Sequence, residues 1–310
     1  MQLITPYTNQ KIKRNVATIG FFDGVHIGHR FLINQVRTVA AEMNLSTALI
    51  TFRIHPRKVM NSEYRPMLLT TPQEKQDLLA QTEVDYCVML EFTEELSQLS
   101  AKEFMTFLRD RYQVACLVIG YDHRFGHNRS EGFEDYCSYG EELGIQVIQA
   151  KAYTDHESNV SSSLVRTALQ QGDIESAERY LGYDYFVQGV VVGGRQNGRK
   201  MGFPTANIRV SDPDKLIPQN GVYAVTVELR GVRYGGMLNI GVRPTFANGD
   251  DCSLEVHVFN FSEDIYNEPI RIYFHRFIRP ERRFEHVDQL VQQLQEDAEN
   301  IQVVLRSVLS

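Results

Sequence analysis

Two histidines three residues apart, His26 and His29, stand in a glycine-punctuated stretch at residues 18–30, TIGFFDGVHIGHR. An imidazole can donate a hydrogen bond to a phosphoryl oxygen without any covalent step, and two aimed at one point would stabilise charge on a phosphate. The spacing predicts that both rings lie close together. The elements that must position them are legible on either side. The apolar run 16–22 reads as a short buried strand, Gly24 and Gly28 mark a tight turn, and Phe31, Leu32, Val36 and Val39 recur at helical spacing. A strand that feeds a helix through a glycine turn offers backbone N–H groups with no internal partner and the positive end of a helix dipole. Both favour an anion. Zinc is not indicated. No third nitrogen or sulfur ligand stands at zinc-like spacing, and Gly28 between the histidines suits close approach of backbone to phosphate.

The ordered set Gly20, Asp23, Gly24, His26, Gly28 and His29 is far more specific than one strand–turn–helix. It is an HxGH signature, and it resembles that of the nucleotidyltransferases and the class I aminoacyl-tRNA synthetases, which split ATP between its α and β phosphates. A class I synthetase also needs a lysine-rich partner loop, of which Lys200-Met201-Gly202 is only a superficial echo.

Strand and helix alternate from residue 16 to about 150. Buried strands are predicted at 46–52, 86–90 and 114–119, and a further strand at 145–149. Helices are predicted from the capping boxes Thr71/Glu74 and Ser100/Glu103 and over 131–143. Such alternation predicts a Rossmann-like, doubly wound parallel sheet with ligands at the carboxyl ends of its strands. The HxGH turn, the segment around His55 and the loop around Asp122 all follow predicted strands, so they are expected to meet in one crevice. Farther on, Ser161, Ser162 and Ser163 precede Arg166. Hydroxyls and a guanidinium suit a polyphosphate, and the same serines suit a plain helix N-cap.

From about residue 185 short alternating strands with glycine and proline turns replace the helices, at 186–192, 222–229, 234–240, 253–259 and 270–278. They predict a small antiparallel β-barrel, with a terminal amphipathic helix at 286–308 packed on it. Two constellations lie here. Gly202, Phe203, Pro204, Thr205, Ala206 and Asn207 combine a permissive glycine, a rigid proline and two oxygen-bearing side chains. Thr205 and Asn207 fit magnesium and phosphate, and they fit an ordinary turn equally. Glu255 alternates with Leu254 and Val256 and shares a strand face with His257. A carboxylate aimed into a barrel serves as a general base for a hydroxyl nucleophile; one aimed at solvent serves no such end.

Composition sets the frame. At 310 residues, two domains are expected, and 43% hydrophobic with 23% charged residues is ordinary for a globular chain. A net charge of −7 argues against a general nucleic-acid or membrane-surface binder, although basic residues cluster at 195–200 and 276–283. Cys87, Cys116, Cys137 and Cys252 are scattered without a CxxC pair, which suits a reducing cytosol, so a cytoplasmic location is expected. No signal-like or membrane-spanning run is expected.

Taken together, the motifs resemble the bacterial bifunctional riboflavin kinase/FMN adenylyltransferase family over nearly the whole chain. The resemblance rests on GFFDGVHIGH (20–29), TFRIHP (51–56), GYDHRFG (120–126) and VSSSLVR (160–166) in the first half. In the second it rests on GFPTAN (202–207), NIGVRPTF (239–246), LEVHVFNF (254–261) and the run from 270 to 284. It implies an FMN adenylyltransferase domain over 1–183 and a riboflavin kinase domain over 184–310. The second would phosphorylate riboflavin with ATP, Glu255 being the base and Thr205 and Asn207 holding Mg-ATP. The first would join FMN to a second ATP and release pyrophosphate. There His26 and His29 would stabilise phosphate charge, Ser162, Ser163 and Arg166 would hold the triphosphate, and the Asp122 loop would face the nucleotide. Mg2+ is the implied cofactor; riboflavin, FMN and ATP are the implied partners, with neither nucleic acid nor membrane. The chain departs from the family's pattern at Phe21, His123, Ser163 and Asn260. A member retaining one activity, or a flavin-binding regulator, stands as the rival reading.

Overall fold

The computed structural model describes residues 1–8, 11–121, 123–127, 130–155, 158–194, 198, 201–243 and 251–309. The chain forms two compact units, Met1–Ser162 and Ser163–Ser310.

In the first unit six strands form one parallel sheet: β1 (Gln2–Ile4), β2 (Asn15–Ile19), β3 (Ser46–Phe52), β4 (Tyr86–Leu90), β5 (Val114–Ile119) and β6 (Gln146–Gln149), in the order β1-β4-β3-β2-β5-β6. This is the expected doubly wound sheet, with an additional edge strand, β1, that the sequence pattern did not reveal. Residues of β2, β4 and β5 are buried throughout, as a sheet covered on both faces requires. The covering helices are α1 (Ile27–Met43), α2 (Pro56–Met60), α3 (Pro72–Ala80), α4 (Glu94–Gln98), α5 (Ala101–Tyr112) and α6 (Phe133–Leu143). Both predicted capping boxes form: Thr71 with Glu74 opens α3, and Ser100 with Glu103 opens α5. Strand order reverses at β2, whose neighbours are β3 on one side and β5 on the other. The crevice beyond that reversal is where open α/β sheets hold ligands, and the HxGH turn follows directly from β2. A two-stranded ribbon of β7 (Thr154–Asp155) and β8 (Ser158–Asn159) lies near the end of this unit.

The second unit opens with two helices, α7 (Ser162–Gln170) and α8 (Ile174–Leu181). α8 packs on the barrel through an Arg276–Glu175 ion pair at 2.9 Å. The barrel is closed and antiparallel, built from β9 (Phe186–Val192), β10 (Ala206–Val210), β11 (Gly221–Leu229), β12 (Val232–Arg243), β13 (Asp251–Val258) and β14 (Pro269–Arg279), in the order β10-β13-β12-β11-β14-β9. The terminal helix, α9 (Val287–Leu305), seats Ile301 and Leu305 against Val222, Ala224 and Met237.

Alternation sets the inner face of β13. Leu254, Val256 and Val258 are buried, while Glu255 and His257 lie half-buried on the opposite face. Glu255 therefore does not point into the barrel; of the two orientations its pattern left open, the outward one is found. The interior is filled by apolar side chains, and the outer face at this point is roofed by α9, so both faces look sheltered in sequence.

Candidate functional site

Two candidate sites arise, one in each unit. In the first, β2 ends at Ile19 rather than running on to Phe22. Residues 22–25 turn sharply, with φ of 54° at Phe22, 80° at Gly24 and 39° at Val25. A β-branched residue at positive φ is a strained outlier, and such strain gathers at functional turns. His26 then caps α1, its Nδ1 accepting from the His29 backbone N–H at 3.3 Å. In a neutral ring this leaves Nε2 as the N–H donor. The two imidazoles lie close, as the spacing predicted, stacked with centroids 3.6 Å apart, and Phe22 packs edge-on against His29. Burial first, then the neighbouring His26 and the charge of Lys75, hold the His29 imidazole well below its ordinary range. Its Nδ1 is buried without a hydrogen-bond partner among the described residues. At Gly28 a Cβ would press within 3.2 Å of both the His26 ring and the Val160 carbonyl, so a side chain there would crowd the turn.

The remaining predicted residues of this unit take distinct parts. Gly20 donates its N–H to the Ile50 carbonyl at 3.0 Å. The Asp23 carboxylate accepts from the backbone N–H groups of Leu69 and Thr70, each at 3.1 Å, and from the Thr70 hydroxyl, which in turn accepts from Gly24 N–H. Asp23 is thus engaged by the chain itself. The Ser162 hydroxyl donates to the Asp23 carbonyl at 2.9 Å. Ser163 and Arg166 lie on α7 in the second unit, and Asp122 lies outside the described residues. His55 caps α2 and meets the Phe21 ring edge-on at 4.7 Å.

Beside this turn, across the carboxyl ends of β2, β3 and β5, opens a cavity of about 460 Å³. Ile19, Phe52, Tyr64, Phe92, His123 and Phe125 line much of it. Its lining comes from the ends of β2 and β3 and from the segments after β3, β4 and β5; no residue of the HxGH turn and not His55 lines it. Sequence reasoning missed its aromatic lining from Tyr64 and Phe92, and it missed Lys75, whose buried ammonium donates to the Phe21 carbonyl at 3.0 Å.

In the second unit Asn207, Glu255 and Asn239 stand opposite one another on β10, β13 and β12. The strand β10 itself was not foreseen; its turn-like composition hid it. The Thr205 hydroxyl donates to Glu255 Oε2 at 3.4 Å, and Asn207 is buried beside Gly194, where any Cβ would strike the amide. Gly202, at φ 80°, turns the chain into Phe203, whose ring meets His257, and His257 Nδ1 donates to the Pro204 carbonyl at 2.8 Å. Asn260 has φ 55°, a conformation that Asn accepts readily, so the backbone tolerates that departure.

Two cavities meet at Thr205. One, of about 430 Å³, is lined by Glu255, Asn239, Phe203, Arg279, Leu290 and Leu294, and so lies between barrel and terminal helix. The other, of about 370 Å³, is lined by the inward-facing Val256 and Val258 and by residues 261–266. Thr205, Asn207 and Glu255 present only oxygen donors and one amide, a set that fits a hard cation keeping several waters.

The FAD synthetase family model matches residues 8–164, and the riboflavin kinase family model matches residues 181–305. The bifunctional riboflavin kinase/FMN adenylyltransferase of Listeria monocytogenes is 36% identical over 290 residues, covering 92% of this chain and 90% of that one. The protein of the same name from Bacillus subtilis is 34% identical over 290 residues, with the same coverage. A crystal structure titled as a macrolide-efflux protein from Streptococcus pneumoniae superposes with a TM-score of 0.88 at 30% identity, over 97% of this chain and 98% of that one. Among the described residues no helix is long and apolar enough to cross a membrane. Two family models in tandem and relatives matched over nine-tenths of their length agree with the two constellations, and the chain belongs to the bifunctional riboflavin kinase/FMN adenylyltransferase family.

Proposed function

We propose that this chain makes FMN and then FAD, each at its own site. It is a riboflavin kinase and an FMN adenylyltransferase in one polypeptide. Residues 184–310 are assigned to phosphoryl transfer and residues 1–183 to adenylyl transfer, a division that the matched segments support.

The observation that carries the kinase assignment is the Thr205–Glu255 pair at the junction of two cavities. A general base must touch the hydroxyl that attacks. The cavity containing Glu255 therefore receives the flavin, with its ring toward Phe203, Leu290 and Leu294 and its terminal ribityl hydroxyl toward Glu255. The cavity on the other side of Thr205 receives the nucleotide. Glu255 takes the hydroxyl proton, the freed oxygen bonds to the γ-phosphorus, and the bond to the β-phosphate oxygen breaks, leaving FMN and ADP. Thr205 and Asn207 would hold Mg2+, which when bound neutralises phosphate charge.

For adenylyl transfer, the His26–His29 turn faces the phosphates and the aromatic cavity beside it receives the isoalloxazine ring. The FMN phosphate oxygen bonds to the α-phosphorus of ATP, and pyrophosphate leaves. Neutral His29 and the Nε2–H of His26 donate to the charge that accumulates, a role that needs position rather than proton transfer. Ser162, Ser163 and Arg166 are assigned to the triphosphate, Gly24 and Gly28 to its close backbone approach, and His55 and the Asp122 loop to the nucleotide.

The test is Glu255→Gln in the full chain. It should abolish FMN formation from riboflavin, a loss of about 1,000-fold or more in kcat. FAD formation from supplied FMN should persist. Equal loss of both activities would sink the division of labour.

A further inference from the structure

Lys75 stands next to Glu74 in a short helix, a position that in sequence reads as solvated, yet it is 2% exposed. Its ammonium donates to the Phe52 carbonyl at 2.8 Å, the Phe21 carbonyl at 3.0 Å and the Thr51 hydroxyl at 3.3 Å. Three donors meet three acceptors, so the ammonium is fully coordinated by protein. The Phe21 ring lies over it at 4.0 Å, and the Thr51 hydroxyl also donates to the Phe21 carbonyl at 3.1 Å. These acceptors sit where β2 and β3 end, directly before the left-handed arc at Phe22, Gly24 and Val25. Strain of that kind persists only where the surroundings over-determine it. Residues 69–75 grip the arc twice, Leu69 and Thr70 by the Asp23 carboxylate and Lys75 by the Phe21 carbonyl.

We infer that Lys75 is a positioning residue for adenylyl transfer: its ammonium fixes the Phe21 carbonyl and thereby the arc that presents His26 and His29 to the phosphates. The inference rests on the reading that adenylyl transfer takes place at that turn. The titratable groups around the ammonium are Asp23 on the arc, His29 on α1 and Cys87 on β4. Burial pulls Lys75 down to about 8, against the opposing pull of Asp23 and Cys87. It is charged at neutral pH and gives up one of its three donated protons in alkaline solution.

The experiment measures both activities of the full chain in Lys75→Met, Thr51→Val and His29→Asn. Lys75→Met should lower kcat for FAD formation from FMN by about 100-fold, because small misplacements of reacting groups carry losses of that order. KM for ATP and FMN should stay within about threefold. Riboflavin phosphorylation by the same preparation should be unchanged, and a cooperative thermal transition of the first unit as in wild type reports that the substituted unit is folded. The isosteric Thr51→Val should lose about fivefold in the same direction. Wild-type kcat should decline above pH about 8, and Lys75→Met should lack that decline. An adenylyl-transfer kcat within about twofold of wild type in Lys75→Met, or a loss confined to KM, overturns the inference. If Lys75→Met does not fold, full activity in Thr51→Val together with a flat alkaline profile in the wild type overturns it, and the opposite pair of results sustains it. Full adenylyl transfer in His29→Asn would instead overturn the placement of the site, and the role of Lys75 with it.

Discussion

His29 and His275 show what burial does to an imidazole in each unit. Burial, then His26 and Lys75, depress His29 well below 6.5. His275 is 9% exposed and shares a 2.9 Å hydrogen bond with Thr226; burial and Arg233 lower it against the opposing pull of Asp184. In the unfolded chain both protonate near 6.5; in the folded chain they do so only at lower pH. Between those values the unfolded state binds more protons, so the contribution to stability is full above 6.5 and is lost as pH falls through and below it. Protection of β2 and β11 amides against hydrogen exchange should therefore weaken from about pH 7.5 to about 5. His29→Asn should flatten the trend in β2, and His275→Asn should flatten it in β11. An unaltered slope in either variant would show that its histidine is not what couples that unit to acid. In catalysis, the depressed His29 is a neutral donor across the working range, so adenylyl transfer should show no limb near 6.5 from that residue.

At the scale of elements, the terminal helix is held by one buried ion pair. Arg279 donates three hydrogen bonds to Asp297, at 2.7 to 3.1 Å, with side chains 11% and 2% exposed, and Gln293 adds a fourth at 3.1 Å. Removing one partner of such a pair leaves an uncompensated buried charge, at a cost of about 3–5 kcal/mol. Leu290 and Leu294, which line the cavity proposed to receive the flavin, ride on the same helix. Asp297→Ala should thus open α9 to limited proteolysis and raise KM for riboflavin, while adenylyl transfer from supplied FMN stays as it was. A variant with unchanged riboflavin KM would place the flavin elsewhere than beneath this helix.

The same scale shows why some features were legible in sequence and others were not. The capping boxes of α3 and α5 were, since a cap is decided within four residues. So was the closeness of His26 and His29, a matter of three residues, although not that their rings stack. Strand β10 was not: Pro204, Thr205 and Asn207 have turn chemistry, and the partners that make a strand of them lie on β9 and on β13, some fifty residues later. Lys75 was hidden for a similar reason, its burial being decided by acceptors at Phe21, Thr51 and Phe52. Glu255 was found by its motif but its face was left open, because alternation separates two faces of a strand without saying which is inside. Asp23 belongs to the signature of the turn, yet its carboxylate is spent on the backbone of Leu69 and Thr70.

Over the whole molecule, the residues assigned to the two transfers centre on different units. The stacked histidines and their aromatic cavity lie in Met1–Ser162, and Thr205 and Glu255 with the two cavities they join lie in Ser163–Ser310. Since FMN is the product of one and the substrate of the other, complementation between chains is a direct consequence. A mixture of Glu255→Gln and His29→Asn proteins, given riboflavin, ATP and magnesium, should make FAD although neither variant alone does. FMN from the His29→Asn chain must cross solution to reach the Glu255→Gln chain, so FAD should appear after a lag. That lag should shorten as the concentration of the His29→Asn protein rises. The control is each variant given the substrate of its surviving activity. If both controls succeed and the mixture yields FMN but no FAD, the FMN stays bound to the chain that makes it and does not cross solution to another.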